Sequence, residues 1–133
     1  MMTSIPVTLA TAAAAVFVNI WLGWRISQLR KAYKVSVGDG GHEPLLRRMR
    51  AQANFVENAP FFLILLIALE LSGANRLALL AVAATFMLAR IAHGVGMDGG
   101  DGPRWRMYGT MGSTIATAAL AILALVHAVT SVV

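Results

Sequence analysis

The sequence predicts an all-α integral membrane protein: a bundle of four transmembrane helices in one domain over residues 1–133. Three observations predict it. Of 133 residues, 58% are hydrophobic and only 13% are charged, and the mean hydropathy is +0.70, against roughly 25% charged in soluble domains. The apolar residues fall into four runs, each close to the ~20 residues that cross a bilayer core. Glycine, proline and charge mark the breaks between the runs. Composition also excludes classes of function. There is no cysteine, hence no disulfide, thiolate metal site or cysteine nucleophile. The net charge of +5 gathers near helix ends, where membrane topology explains it, so no nucleic-acid partner is expected. Histidines 42, 93 and 127 are scattered in position, so no metal site is expected either.

The first helix is expected over about residues 5–34. Ile5 to Trp24 carries no charge. Trp21 and Trp24 sit where aromatic belts lie, and Arg25 to Lys34 forms a basic exit. The start lacks a basic n-region and its apolar run is too long for a signal peptide. Asn19 reads as interhelical hydrogen-bonding glue, or alternatively as a ligand contact. The glycines at 38, 40 and 41 make a turn, and Pro44 opens a second helix over about 44–72. Pro60 inside it removes a backbone hydrogen bond near Val56, a source of kinking. Ser72 to Asn75 is a tight connection to a third helix over about 76–96. Met97 to Pro103 is a Gly-rich loop, and the fourth helix follows over about 103–131. The glycines at 99–102 lack the lysine and the preceding strand of a phosphate cradle, so they read as a turn.

Charge sets the expected orientation. The first connection and its flanks carry Arg25, Arg30, Lys31, Lys34, Arg47, Arg48 and Arg50; the third adds Arg90, Arg104 and Arg106. The opposite side has only Arg76. The positive-inside rule puts both connections in the cytoplasm and both termini outside. The short chain and compact loops point to a bacterial inner membrane.

Arg50, Asn54 and Glu57 are spaced four and three apart, so a helix sets them on one face. Charge at membrane depth is costly unless paired or wetted, so this triad is expected to face a protein interior or a cavity. Arg90 and His93 lie one turn apart at the same level of the third helix. Arg104 and Arg106 open the fourth helix, and Arg30 and Lys31 close the first. Together they predict a pocket rich in cations, with one carboxylate, one amide and one imidazole. It suits a small anion with several carboxylates and an amine, because arginines clamp carboxylates bidentately and Glu57 can hold an amine or orient an arginine. The alternative is structural. Arg50 and Glu57 would pair with each other or with Arg90, Arg104 and Arg106 would anchor topology, and His93 would be a satisfied interior histidine.

The string from Arg48 to Asn75, RMRAQANFVENAPFFLILLIALELSGAN, resembles the signature of the MAPEG family, the membrane-associated proteins in eicosanoid and glutathione metabolism. Its core is Arg50, Ala51, Asn54 and Glu57, followed by Pro60 and Phe61. RKAYKV, from Arg30 to Val35, is similar to the first-helix end of the leukotriene C synthase members, and RIAH, from Arg90 to His93, to the third-helix motif of the prostaglandin E synthases. The resemblance implies a four-helix protomer in a homotrimer, with glutathione bound between neighbouring subunits near the cytoplasmic face. It implies glutathione contacts from Arg50, Asn54 and Glu57, with Arg90 and His93 contributed by the adjacent subunit. It gives the stabilising of the thiolate to Arg104 or Arg106, and makes Arg30 a glutathione-binding residue and a candidate second catalytic or substrate-side arginine. Two positions depart from the family: Met97 stands where some members have tyrosine, and Ala53 where some have a basic residue. Tyr108 is the candidate to supply a hydroxyl instead.

The activity implied is that of a glutathione transferase or peroxidase. A guanidinium would stabilise the thiolate, the nucleophilic form, for attack on a lipophilic electrophile dissolved in membrane lipid and arriving between the first and fourth helices. The alternative is a non-enzymatic protein of the same fold that binds a lipid or a partner. A transporter subunit fits less well, because the fourth helix carries no charge beyond its head and the polar groups sit near one face, not at the midplane.

Overall fold

The computed structural model of the chain describes residues 4–99 and 102–132. It consists of four helices: α1 (Pro6–Tyr33), α2 (Glu43–Leu71), α3 (Arg76–Gly96) and α4 (Gly102–Val132). Each is long and apolar enough to cross a membrane, and no strand occurs among the described residues. The helix ends lie within one residue of those expected from the sequence. The Gly-rich turn is described only in part, because residues 100 and 101 lie outside the described residues.

Local chemistry explains each boundary. Pro6 opens α1, where a missing N–H costs nothing. Lys34 ends it in the left-handed region at φ 55°, its N–H turned back to the carbonyls of Arg30 and Lys31. The α1–α2 connection turns on Gly38, Gly40 and Gly41, all at positive φ, and the Asp39 side chain accepts from the Gly41 N–H at 3.0 Å. α2 stays helical through Pro60. Gly73, at φ 83°, closes α2, and the Ala74 N–H reaches the Leu69 carbonyl at 3.0 Å. Asn75 caps α3 by accepting from the Ala78 N–H at 3.0 Å. Asn75→Ala is expected to cost about 1 kcal/mol, read as a lower thermal midpoint by circular dichroism in detergent; Asn75→Asp keeps the acceptor and should keep the midpoint.

The core runs along the bundle axis. Leu22 of α1, Phe55, Phe62, Leu66 and Leu69 of α2, Leu79 and Phe86 of α3, and Leu120 of α4 are all nearly inaccessible. Phe62 and Phe86 stack at 4.0 Å between ring centroids. α3 and α4 make the most extensive pair, and glycine lets their backbones touch. A Cβ on Gly96 would strike the α4 backbone at Gly102, Trp105 and Arg106, and one on Gly109 would strike the backbone of Ala89 and His93. α1 packs on α2 and α3, α2 also contacts α3 and α4, and no contact joins α1 to α4 among the described residues. The outer faces carry exposed Leu9, Phe17, Ile64, Leu77, Leu88 and Ile122, as expected of a surface solvated by lipid or by other copies. Asn19 accepts from the Gln52 amide at 3.2 Å, so it does link helices.

Candidate functional site

The polar groups collect at the end of the bundle that holds the α1–α2 and α3–α4 connections. At its centre is Arg90, only 3% exposed. Its guanidinium bridges three helices, donating from Nη1 to the Asn54 side-chain oxygen and from Nη2 to Ser113 Oγ and to the Gly109 carbonyl at 3.1 Å. Its Nε is buried with no partner among the described residues. Gly109 makes this possible, because its lack of a side chain brings the α4 carbonyl within reach of Arg90. His93 is buried where α3 meets the same glycine.

The other expected site residues lie on the outside of the four-helix bundle. Arg50 and Glu57 are exposed on α2, and Arg104, Arg106 and Tyr108 are exposed on α4. No hydrogen bond or ion pair between Arg50 and Glu57, or from either to Arg90, occurs among the described residues. The Nη groups of Arg90 are satisfied by an amide, a hydroxyl and a carbonyl, not by a carboxylate. Arg30 donates to the Gly38 carbonyl at 2.8 Å and contacts Met49 Sδ at 3.6 Å. It borders a groove of about 490 Å³ between α1 and α2, with Ser27, Gln52, Ala53 and Val56.

The two arginines at the head of α4 are separated by the helical period. Arg104 shares a face with Tyr108, one turn on. Tyr108 and Trp105 line an outward-facing apolar groove of about 510 Å³ with Leu88, Ile91 and Val95. Arg106 instead lines a smaller hollow of about 260 Å³ within the same protomer, beside Arg47, Met97 and Pro103. Within the single chain the expected residues therefore do not converge on one cavity. Asn54 and Arg90 are joined internally; Arg50, Glu57, Arg104 and Tyr108 present a guanidinium, a carboxylate, a second guanidinium and a phenol outward. Chemically this set can hold carboxylates and an amine, provided something else completes the walls.

Two further charge clusters are absent from the expected set. Asp98, just past α3, pairs with Arg25 and with Arg48 at 2.9 Å. Arg25 is 5% exposed, donates to the Gly94 carbonyl at 2.9 Å and lies 4.6 Å from the Trp21 ring centroid. Arg48 also donates to the Arg25 carbonyl at 2.7 Å. At the opposite end, buried Glu70 accepts from the N–H groups of Val7 at 3.0 Å and Thr8 at 2.7 Å, and from the Thr8 hydroxyl at 2.7 Å. The signal for both was a carboxylate beside or inside an apolar span, which demands a partner.

Comparison with known proteins adds the following. The family model described as MAPEG family matches residues 8–126. The inner membrane protein YecN of Escherichia coli strain K12 is 36% identical over 50 residues, 38% of this chain and 38% of YecN. YecN from a second Escherichia coli strain matches to the same extent. The aligned segment thus spans well under half of these curated relatives.

Proposed function

The chain belongs to the MAPEG family, and from that premise we propose that this integral membrane protein is a glutathione transferase or peroxidase-like enzyme that activates the glutathione thiolate for attack on a lipophilic electrophile. The observation that carries the reading is the exposure of Arg50 and Glu57 on α2. At 1.5 Å per residue, Glu57 lies about 21 Å from the Leu71 end of the helix, well within a ~30 Å core measured from there. Arg50 lies about 32 Å from it, at the headgroup border. A carboxylate facing lipid at that depth is costly, so this face is covered. In the proposed arrangement further copies of the chain cover it in a homotrimer, and glutathione occupies the seam near the cytoplasmic side of a bacterial inner membrane, with both termini outside. The YecN relatives, named as inner membrane proteins, support that location.

Each residue then has a task. Arg50 binds a glutathione carboxylate, and Glu57 holds its amine. Asn54 presents an amide whose orientation is held by Arg90, and His93 is the imidazole buried one turn from Arg90 on α3. Arg30 faces the substrate side across the α1–α2 groove. Arg104 stabilises the thiolate, with the Tyr108 hydroxyl beside it, because that face of α4 borders the outward apolar groove, whereas Arg106, also exposed, lines the hollow beside Arg47. The thiol proton leaves to water, sulfur forms the new bond to the electrophile, and the displaced group departs with its bonding electrons.

The test is thiolate absorbance near 240 nm when glutathione is mixed with detergent-purified protein, followed by turnover of chlorodinitrobenzene. A signal with saturable glutathione binding is expected. Arg104→Ala should shift the thiol titration up by about one unit, a roughly tenfold loss in its ionisation constant, and Arg106→Ala should shift it less. The reverse order would move the role to Arg106. Neither signal nor binding in the wild type would sink the enzymatic reading; saturable binding without turnover would favour a binding protein of the same fold.

A further inference from the structure

We infer that Asp98 is a positioning residue, whose carboxylate, gripped by Arg25 and Arg48, sets where the head of α4 and therefore Arg104 stand. This inference rests on the glutathione reading above. Its structural basis is the way the bundle is connected. α1 makes no contact with α4 among the described residues, so at this end α1 acts on α4 only through α2 and α3 and the segment that joins α3 to α4. Asp98 sits at the start of that segment. Its N–H returns to the Val95 carbonyl at 3.1 Å, and the Gly102 N–H, at the first residue of α4, reaches the Gly99 carbonyl at 3.1 Å. Arg25 brings α1 to the carboxylate and Arg48 brings α2. One side chain therefore joins three helices from a point two residues past α3 and six residues before Arg104.

The carboxylate cannot be replaced by a neutral group of the same shape without loss. Two guanidiniums share it, one on each oxygen. An asparagine offers one acceptor and turns an N–H₂ donor toward the other arginine, which has only donors to give. Arg25 is buried and keeps only the Gly94 carbonyl and the Trp21 ring, and the two like charges lose the group that separates them. Arg48 is half-released, and the connection then keeps its backbone contacts, Gly96 against Gly102, Trp105 and Arg106 and the Gly102 N–H on the Gly99 carbonyl, but loses half of its charge tie to α1 and α2. The groups that would bind glutathione from α2 are not part of this clasp, so affinity and thiol ionisation separate.

The experiment is a pH titration of the 240 nm signal on full-length protein in detergent, beside the glutathione dissociation constant and hydrogen exchange of the peptide covering residues 97–106. In Asp98→Asn the thiolate titration is expected to shift up by about one unit, a roughly tenfold weaker ionisation of the bound thiol. The dissociation constant should stay within about threefold, the split expected when an interaction with the reacting group alone is lost. Exchange over residues 97–106 should rise, and Asp98→Glu should recover part of the signal. If the wild type ionises glutathione and Asp98→Asn does so equally well, the inference fails and the glutathione reading stands. If affinity and ionisation fall together, Asp98 is merely structural and the inference also fails. If the wild type gives neither binding nor thiolate, the glutathione reading fails and takes the inference with it. Should Asp98→Asn not yield folded protein, Arg48→Gln, which keeps the Arg25 pair, is read in the same way; a wild-type titration in that variant overturns the inference.

Discussion

Glu70→Ala is expected to destabilise the protein by about 3 kcal/mol, the cost of stripping a charged acceptor from buried donors. The first N–H groups of a helix have no partner within it, and α1 has no capping side chain of its own. Glu70 supplies the acceptor from another helix, taking the Val7 and Thr8 N–H groups and the Thr8 hydroxyl on its two oxygens. Its negative charge also suits the positive end of the α1 dipole. Arg76 stands 3.8 Å away and ties the Ser4 carbonyl at 2.6 Å, so the same corner is braced twice. Thermal unfolding in detergent, followed by circular dichroism, reads the effect. Glu70→Gln keeps one acceptor and should lose roughly half as much. An unchanged midpoint in Glu70→Ala would mean that water satisfies these amides and that the cap contributes nothing.

Gly109→Val is expected to be as damaging, at about 3 kcal/mol, the upper end for overpacking. A Cβ there meets the His93 nitrogen, the Ala89 carbonyl oxygen and the His93 Cα. All three are backbone atoms, so no side chain can turn aside. α4 would have to move off α3, carrying the Gly109 carbonyl away from Arg90. Gly112→Ala is the control, because its Cβ meets only the Ala89 methyl at 3.1 Å and a small shift relieves it. The two variants should differ clearly in thermal midpoint and in yield of monodisperse protein. Equal midpoints would show that the α3–α4 contact is softer than its geometry states.

Which parts were legible from the sequence follows from how far each interaction reaches along the chain. Helix ends were legible because apolar runs and turn residues are local: Pro6, Gly73 and Asn75 act on neighbours a few residues away. Asn19 was legible as glue because a lone amide in an apolar helix has few other uses. The pairing of Glu70 with Val7 and Thr8 joins positions more than sixty residues apart, and that of Asp98 with Arg25 more than seventy; no periodicity links them. Arg90 was legible as a group needing an interior, yet its partners Ser113 and the Gly109 carbonyl depend on how closely α4 approaches. Arg50, Asn54 and Glu57 do lie on successive turns of one helix, but the helix surface divides them: Asn54 turns toward α3 while Arg50 and Glu57 remain outside.

The four spans differ in length, and that difference bears on the kind of bilayer the protein tolerates. α3 has 21 residues, about 32 Å, whereas α4 has 31, about 46 Å. The shorter span nearly equals the hydrocarbon thickness of an ordinary membrane, while the longer one must tilt or protrude. A thicker membrane is therefore felt first by α3, whose ends are Arg76 and the segment carrying Asp98. Stretching there would draw charge toward the acyl chains, so lipids with short tails are the better host.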